Sequence, residues 1–456
     1  MKATSVCWLV GLGMISLSTT SEADVVLAGR LTAPVTEAQL TAGAESASIS
    51  PDGRYIAFVS TSTNMGPPAN GSKNVYIYDI VSDRYLLAAS VLGSGNSYAP
   101  SISAGGLAVA FESEANNFVA GGTSGVTDLF YSRAYDAGQG QVAFDTYLVS
   151  VGLAGAAPNG ASRFASVSMD GRYVAFRSSA SNLVAGDTNG KDDIFVADAS
   201  NLFANPPERV SVNNGGAQID GDSTSLSPSA ISSDGRYVAF AADTSVSIDG
   251  SNPGTLSDVF VRDRVAGTTN LISKSTAGVA GNSSSDMAAI SPHGRFVVFR
   301  SFASNLVPSP SGSRIYLRDR DDGTTYGMPL PPNAASCEDP RVSDTGDIVT
   351  QCNMSSGSQQ AFLYRVSEGG TFYQLSTSLT DTPGNGTSAN YTGISADGVF
   401  VVFDSSASDL VPDDTNHNAD VFVVVPEPDA ASAFLVATGA LAAATRRRSA
   451  RRPTPC

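Results

Sequence analysis

The sequence predicts an all-β fold, a seven-bladed β-propeller closed by a strand from its own N-terminus, and three observations predict it. A Ser-x-Asp-Gly turn followed by an apolar strand recurs along the chain, with anchor glycines at Gly53, Gly106, Gly171, Gly235, Gly294, Gly346 and Gly398. Their spacings of 53, 65, 64, 59, 52 and 52 residues exceed one hairpin and suit four strands with a long loop. The last repeat stops one strand short, and a matching strand stands alone near the start of the chain.

Each element of the repeat follows from its residues. The first strand ends at the turn, as in Pro100-Ser101-Ile102. The turn and second strand are clearest in Ser50-Pro51-Asp52-Gly53-Arg54-Tyr55-Ile56-Ala57-Phe58, with close copies at 168–176, 232–240 and 291–299 and weaker ones at 103–111, 343–350 and 395–403. Asp52, Asp170, Asp234, Asp344 and Asp397 recur there. An Asp before Gly in a tight hairpin accepts backbone amide hydrogen bonds while the glycine takes positive φ, so this series is expected to be scaffold rather than a catalytic set. The second strand is apolar on both faces, Tyr173 and Ala175 on one and Val174 and Phe176 on the other, as in a sheet covered on both sides by neighbouring blades. The third strand follows a long loop, as in Asp193-Ile194-Phe195-Val196 or Asp258-Val259-Phe260-Val261-Arg262-Asp263. The fourth follows a Gly-Thr turn, as in Thr268-Thr269-Asn270-Leu271-Ile272. After Asp420-Val421-Phe422-Val423-Val424 no fourth strand remains. Leu31 stands 22 residues before Gly53, as Ile272 stands 22 before Gly294, so residues 30–34 are expected to complete the last blade and remove the exposed edges.

The Ser-x-Asp-Gly-Arg-Tyr-Val-Ala-Phe anchor, with Asp-Val-Phe-Val-Arg-Asp in the third strand, resembles the TolB-like β-propeller repeat, related to WD-type propellers, over nearly all of residues 30–424. The resemblance implies the fold and leaves the activity open, because such repeats occur in binding proteins, in lyases and as a non-catalytic module of peptidases.

The two ends read as sorting segments. Lys2, an apolar run over residues 6–17 and the small-residue site Ser21-Glu22-Ala23 predict a signal peptide over residues 1–23, cut by signal peptidase to leave Asp24 first. At the other end, Pro426-Glu427-Pro428, an Ala/Leu-rich stretch over 430–444 and Arg446-Arg447-Arg448 resemble a PEP-CTERM sorting signal over residues 426–456. That resemblance implies processing by an exosortase-type enzyme of the inner membrane. The physics points the same way: the arginines hold the cytoplasmic side of a short single-span helix while the body lies outside, and so short a span implies a transient membrane contact. The extra Arg451-Arg452-Pro453-Thr454-Pro455-Cys456 lengthens the basic end. The expected location is therefore the cell envelope or the extracellular space.

The chain carries 27 Lys+Arg against 43 Asp+Glu, and residues 24–425 keep 21 basic against 40 acidic residues, a balance of −19. Nucleic acid is excluded as a partner, since phosphate binding needs a basic surface. The only Trp, Trp8, leaves with the signal peptide. Cys7 and Cys456 fall in the terminal segments, leaving Cys337 and Cys352 about the turn Ser343-Asp344-Thr345-Gly346. Pairing Val342 with Asp347 opposes the two cysteines, close enough for a disulfide, which an oxidising compartment favours. Two free buried thiols are the alternative.

Asp187-Thr188-Asn189-Gly190-Lys191-Asp192-Asp193 and Asp414-Thr415-Asn416-His417-Asn418-Ala419-Asp420 share D-x-N-x-x-x-D before the third strand. Asp187, Asn189, Asp193, Asp414, Asn416 and Asp420 supply oxygens that could hold calcium, the one candidate cofactor; self-bonded Asx turns explain the same residues without a metal. The body has only two histidines, His293 and His417, no Gly-x-Ser-x-Gly elbow and no His-Glu-x-x-His. No catalytic residue is assigned. The reading is an exported, non-enzymatic propeller that serves the cell envelope or matrix as a binding or scaffold protein, with a protein or polysaccharide ligand at one face of the ring. The rival is a carbohydrate-active enzyme, a carboxylate-based glycosidase or lyase, since paired acids leave no local signature.

Overall fold

The computed structural model describes residues 25–31, 39–66, 68–119, 126–138, 141–202, 206–223, 227, 229–243, 248, 256–309, 312 and 314–426. The expected signal peptide and the tail beyond residue 426 lie outside them. Seven antiparallel sheets follow one another along the chain. Blade 1, for example, is built of Ala44–Ile49, Tyr55–Ser60, Asn74–Asp79 and Arg84–Leu87. Blade 4 contributes three described strands, and its innermost segment is held by a bridge between Ile231 and Val238. Among the described residues no helix is long and apolar enough to cross a membrane.

The core is a circle of seven clusters, each shared by two neighbouring blades, and the cluster of Ile56, Phe58 and Tyr76 with Val402, Val421 and Val423 joins blade 7 to blade 1. This accounts for second strands that are apolar on both faces. The terminal Phe of the anchor pairs across the sheet with an aromatic of the third strand: Phe176 with Phe195 at 5.7 Å, Phe299 with Tyr316 at 5.8 Å, Phe403 with Phe422 at 5.5 Å. Burying one such ring contributes roughly 1.5–3 kcal/mol.

The anchor turn is scaffold. Ser168 Oγ donates to Asp170, Asp170 accepts the Arg172 amide at 2.9 Å, and Ser168 Oγ accepts the Tyr173 amide at 2.9 Å. Blades 1, 4 and 7 repeat this with Ser50 and Asp52, Ser232 and Asp234, and Ser395 and Asp397. The glycine is needed twice over: Gly235 sits at φ +70°, and a Cβ there would lie 2.1 Å from the Tyr173 ring of the preceding blade. Blade 6 departs from the expected series. Thr345 fills the Asp position, bonded to Ser343, while Asp344 reaches back to blade 5 and accepts the His293 amide at 2.8 Å.

The ring closes with an N-terminal strand, but earlier than residues 30–34. Val25–Arg30 pairs antiparallel with Asp420–Pro426, from Val25 opposite Pro426 to Arg30 opposite Phe422. Leu31 matches Ile272, the residue just past a fourth strand, and each donates its amide to the third strand, Leu31 to Val421 and Ile272 to Val259. The spacing therefore located the end of the strand rather than its start.

Cys337 and Cys352 oppose each other and are bridged. The register differs from the one expected: Val342 pairs with Ile348, not Asp347, and a bulge between Glu338 and Arg341 brings the cysteines back into opposition.

Candidate functional site: the mouth of the central channel

That bulge belongs to a series. The innermost strands of blades 1, 2, 3, 5 and 7 each slip register once and that of blade 6 twice, and each of the six carries a non-glycine residue in the left-handed region: Ser46, Ala99, Phe164, Met287, Asp339 and Ala389, with φ between 44° and 70°. Such residues carry strain of order 1–3 kcal/mol each, and surrounding structure must hold them. Ala99, Phe164, Met287 and Asp339 themselves, and Asn390 beside Ala389, border a cavity of about 570 Å3 at the ring centre, whose wall also includes Tyr98, Glu112, Arg163, Arg341 and Tyr391. Glu114 and Thr127, which flank the long loop between the second and third strands of blade 2, also line it, so the cavity opens on the side of the ring opposite the anchor turns.

Two buried carboxyls hold this geometry. Glu112 and Asp404 occupy the same place in blades 2 and 7, between the anchor Phe and a Ser. Glu112 Oε1 accepts the amide of left-handed Phe164 from blade 3 at 2.8 Å; Asp404 accepts the amides of left-handed Ser46 from blade 1 at 3.4 Å and of Tyr391 at 2.9 Å. Burial raises the pKa of Glu112, opposed by the Phe164 amide and the charge of Arg163, and burial pushes Asp404 up to about 6 against its two amide bonds. The Tyr391 phenol is also raised, first by burial, with a hydrogen bond to the Ser46 side chain opposing and the charges of Glu112, Asp404 and Asp339 adding to it, so that carboxyls from three blades act on one phenol. Arg341, 3 % exposed, is held by both oxygens of Asp339 at 2.8 and 3.1 Å.

The D-x-N-x-x-x-D residues form a different kind of site, away from the channel. Asp187 and Asp193 flank the Arg209 guanidinium, with Nη1 at 3.6 and 3.1 Å, and Asp414 and Asp420 flank that of Arg30 at 3.4 and 3.6 Å. Asn189 donates to the Ile219 carbonyl and Asn416 to that of Leu40. Gln218 and Gln39, each nine residues past its arginine, complete the two clasps, Gln218 on Arg209 and Gln39 on Asp414. The cation between these carboxylates is thus an arginine of the outermost strand, in the place expected for calcium. Burial still pushes Asp420 up to about 6, with Arg30 opposing. The signal for these clasps was the repeated Arg-x8-Gln spacing, Arg30 to Gln39 and Arg209 to Gln218. His293 and His417 lie in separate blades, the first exposed against Asp344 and the second an exposed left-handed loop residue.

No protein-family model matches the chain, and no curated protein matches it. Solved structures do. The β-propeller domain of the Trilobed protease from Pyrococcus furiosus is similar over 85% of this chain and 94% of that one, at 11% identity and a TM-score of 0.51. The putative TolB from Agrobacterium tumefaciens is similar over 77% of this chain and 96% of that one, at 15% identity and a TM-score of 0.39. TolB from Acinetobacter baumannii covers 78% of this chain with 76% of its own, at 13% identity and a TM-score of 0.39. At 11% identity the likeness to the Pyrococcus furiosus domain speaks to the fold alone, and the site is read from its own chemistry.

Proposed function

We propose that this chain is an exported, non-enzymatic β-propeller that serves the cell envelope or extracellular matrix as a binding or scaffold protein, taking its ligand at the mouth of the central channel. One observation carries the binding role: of the six blades with a left-handed residue on the innermost strand, five bring that residue or its neighbour to a single cavity lined by aromatic and charged side chains. Export rests on the terminal sequences, with signal peptidase and an exosortase-type enzyme as processing partners. An array of oligosaccharides and envelope-derived peptides probed with wild type and Tyr391→Ala tests the binding role. One ligand class should be retained by wild type and weakened about tenfold or more by the variant. Equal retention of every ligand by both proteins would remove the mouth as the site. Fractionation tests the sorting: replacing Pro426-Glu427-Pro428 with alanines should leave a folded protein that is unprocessed or mislocalised, and wild type that keeps its tail through Cys456 would refute it.

A second reading, a carboxylate-based carbohydrate-active enzyme, is favoured by Glu112, whose raised pKa suits a general acid. New reducing ends released from arrayed oligosaccharides by wild type and not by Glu112→Gln would support it.

A further inference from the structure

We propose that the channel mouth selects ligands bearing an ammonium group, seated against Glu112 and the faces of Tyr98 and Tyr391. This deepens the binding role above and rests on it. Glu112 is 6 % exposed, lines the cavity and uses Oε1 for the Phe164 amide, while Oε2 accepts no hydrogen bond from the described residues. A carboxylate oxygen of a buried side chain that lines a cavity and has no donor is an open place for a cation.

Two arginines, Arg163 and Arg341, line the cavity, and Arg300 and Arg177 stand outside its lining. Arg341 is clamped by Asp339. Arg300 faces two carboxylates, Asp286 at 2.8 Å and Glu338 at 3.0 Å, so that network keeps one negative charge in surplus. Arg177 is paired with Asp192. Arg163 is exposed, rests on Thr127 Oγ1 at 3.3 Å and reaches Glu112 only through space. Behind the rim, Asp404 adds a further carboxyl. An anionic ligand would meet this surplus at a cost, and the acidic body extends the same sign outward.

The shape of the surroundings separates an ammonium ion from a metal ion. A calcium ion takes six to eight oxygens, and here the buried carboxylate of Glu112 offers one, both oxygens of Asp339 are taken, the remaining lining carboxylate, Glu114, is exposed, and among the described residues no three His, Cys, Asp or Glu side chains come together to hold a metal ion. Aromatic faces supply what an ammonium group uses instead. Tyr98 is the cross-strand partner of Glu112, so a phenol ring and the free carboxylate share one rung of blade 2, and the Tyr391 ring lies within the field of the same carboxyl. Attraction of a cation to such rings adds to the ion pair as water is excluded.

The test is titration calorimetry of the full chain with two amines, N-acetyl-lysine methylamide and a glucosamine trimer, each beside its N-acetylated counterpart. The two arms distinguish a peptide amine from an amino sugar. At least one amine should bind about tenfold or more tighter than its acetylated form, and Glu112→Gln, which keeps an oxygen for the Phe164 amide, should abolish that preference. Should that variant not fold, Tyr98→Leu carries the test: the preference must shrink severalfold. Equal affinity for amine and acetylated probe, a preference that survives these substitutions, or no binding of either amine overturns the proposal. Equal binding of amine and acetylated probe that is lost in Tyr391→Ala would leave the mouth as the ligand site while sinking the amine, so the two claims fail separately.

Discussion

Asp404 is 2 % exposed, and its two oxygens are committed to the amides of Tyr391 and Ser46. Its carboxyl titrates at about 6 in the fold against an ordinary 3.8. The folded state therefore binds more protons than the unfolded chain between about pH 4 and pH 6. The stabilisation from this group is complete below that window and is lost as pH rises through it, by an amount on the order of 2–3 kcal/mol. In Asp404→Asn this component should vanish, so that urea midpoints of variant and wild type converge or cross between pH 4 and pH 7. Parallel pH profiles of the two proteins would count against the assignment. Glu112 at the mouth and Asp404 behind it were not legible in the sequence, since a Glu and an Asp after a strand Phe look like ordinary surface charge. What makes them matter is an amide from the next blade. The left-handed residues were equally silent: Ser46, Ala99, Phe164, Met287, Asp339 and Ala389 share no side-chain chemistry, because tertiary context fixes their backbone.

In the first hairpin of blade 6 the disulfide replaces what the other blades get from aromatics. Thr350 stands opposite Phe362, so the ring pair of Phe176 with Phe195 has no counterpart there, and Cys337 and Cys352 sit in the same cluster as Phe362. A bridge closing a 15-residue separation is worth about 3 kcal/mol in chain-entropy terms. Cys352→Ser should lower the urea midpoint accordingly, and reduction of wild type should match it without adding to the variant. An unchanged midpoint on reduction would show that the hairpin stands without the bridge. Turns and second strands were readable because their chemistry is local, Ser, Asp and Gly within four residues. The bulge at Glu338 to Arg341 was not, and it reset a register that simple alternation had set at Val342 opposite Asp347. The paired acids of 187–193 and 414–420 were likewise visible, while their arginines arrive from 16 residues downstream and from the far end of the chain.

The ring as a whole depends on one non-covalent seam. Blades 1 to 6 are each continuous in sequence, whereas blade 7 combines Ser388–Ile394, Val401–Ser405 and Asp420–Pro426 with Val25–Arg30. Arg30 pins this strand by entering the buried Asp414 and Asp420 pair. Deleting residues 25–31 strips a strand from blade 7 and leaves two buried carboxyls without their guanidinium, a loss of roughly 3–5 kcal/mol or more. The bare edge of Asp420–Pro426 is then open to pairing with another chain. The truncated protein should unfold at lower urea and run larger on size exclusion, and a monomer of wild-type stability would refute the seam's importance. The repeat count and the existence of this closure were legible because periodicity survives divergence of individual residues.

Because Val25 stands directly opposite Pro426, the first and last described residues meet at the same end of two paired strands of the same blade. A two-residue hairpin could splice Pro426 to Val25, after which the chain has no natural beginning and could be cut open at any exposed loop between blades. Topologically the described ring is a circle opened in blade 7, and the opening sets Val25 beside Pro426, so the segments that precede the one and follow the other join the ring at neighbouring positions.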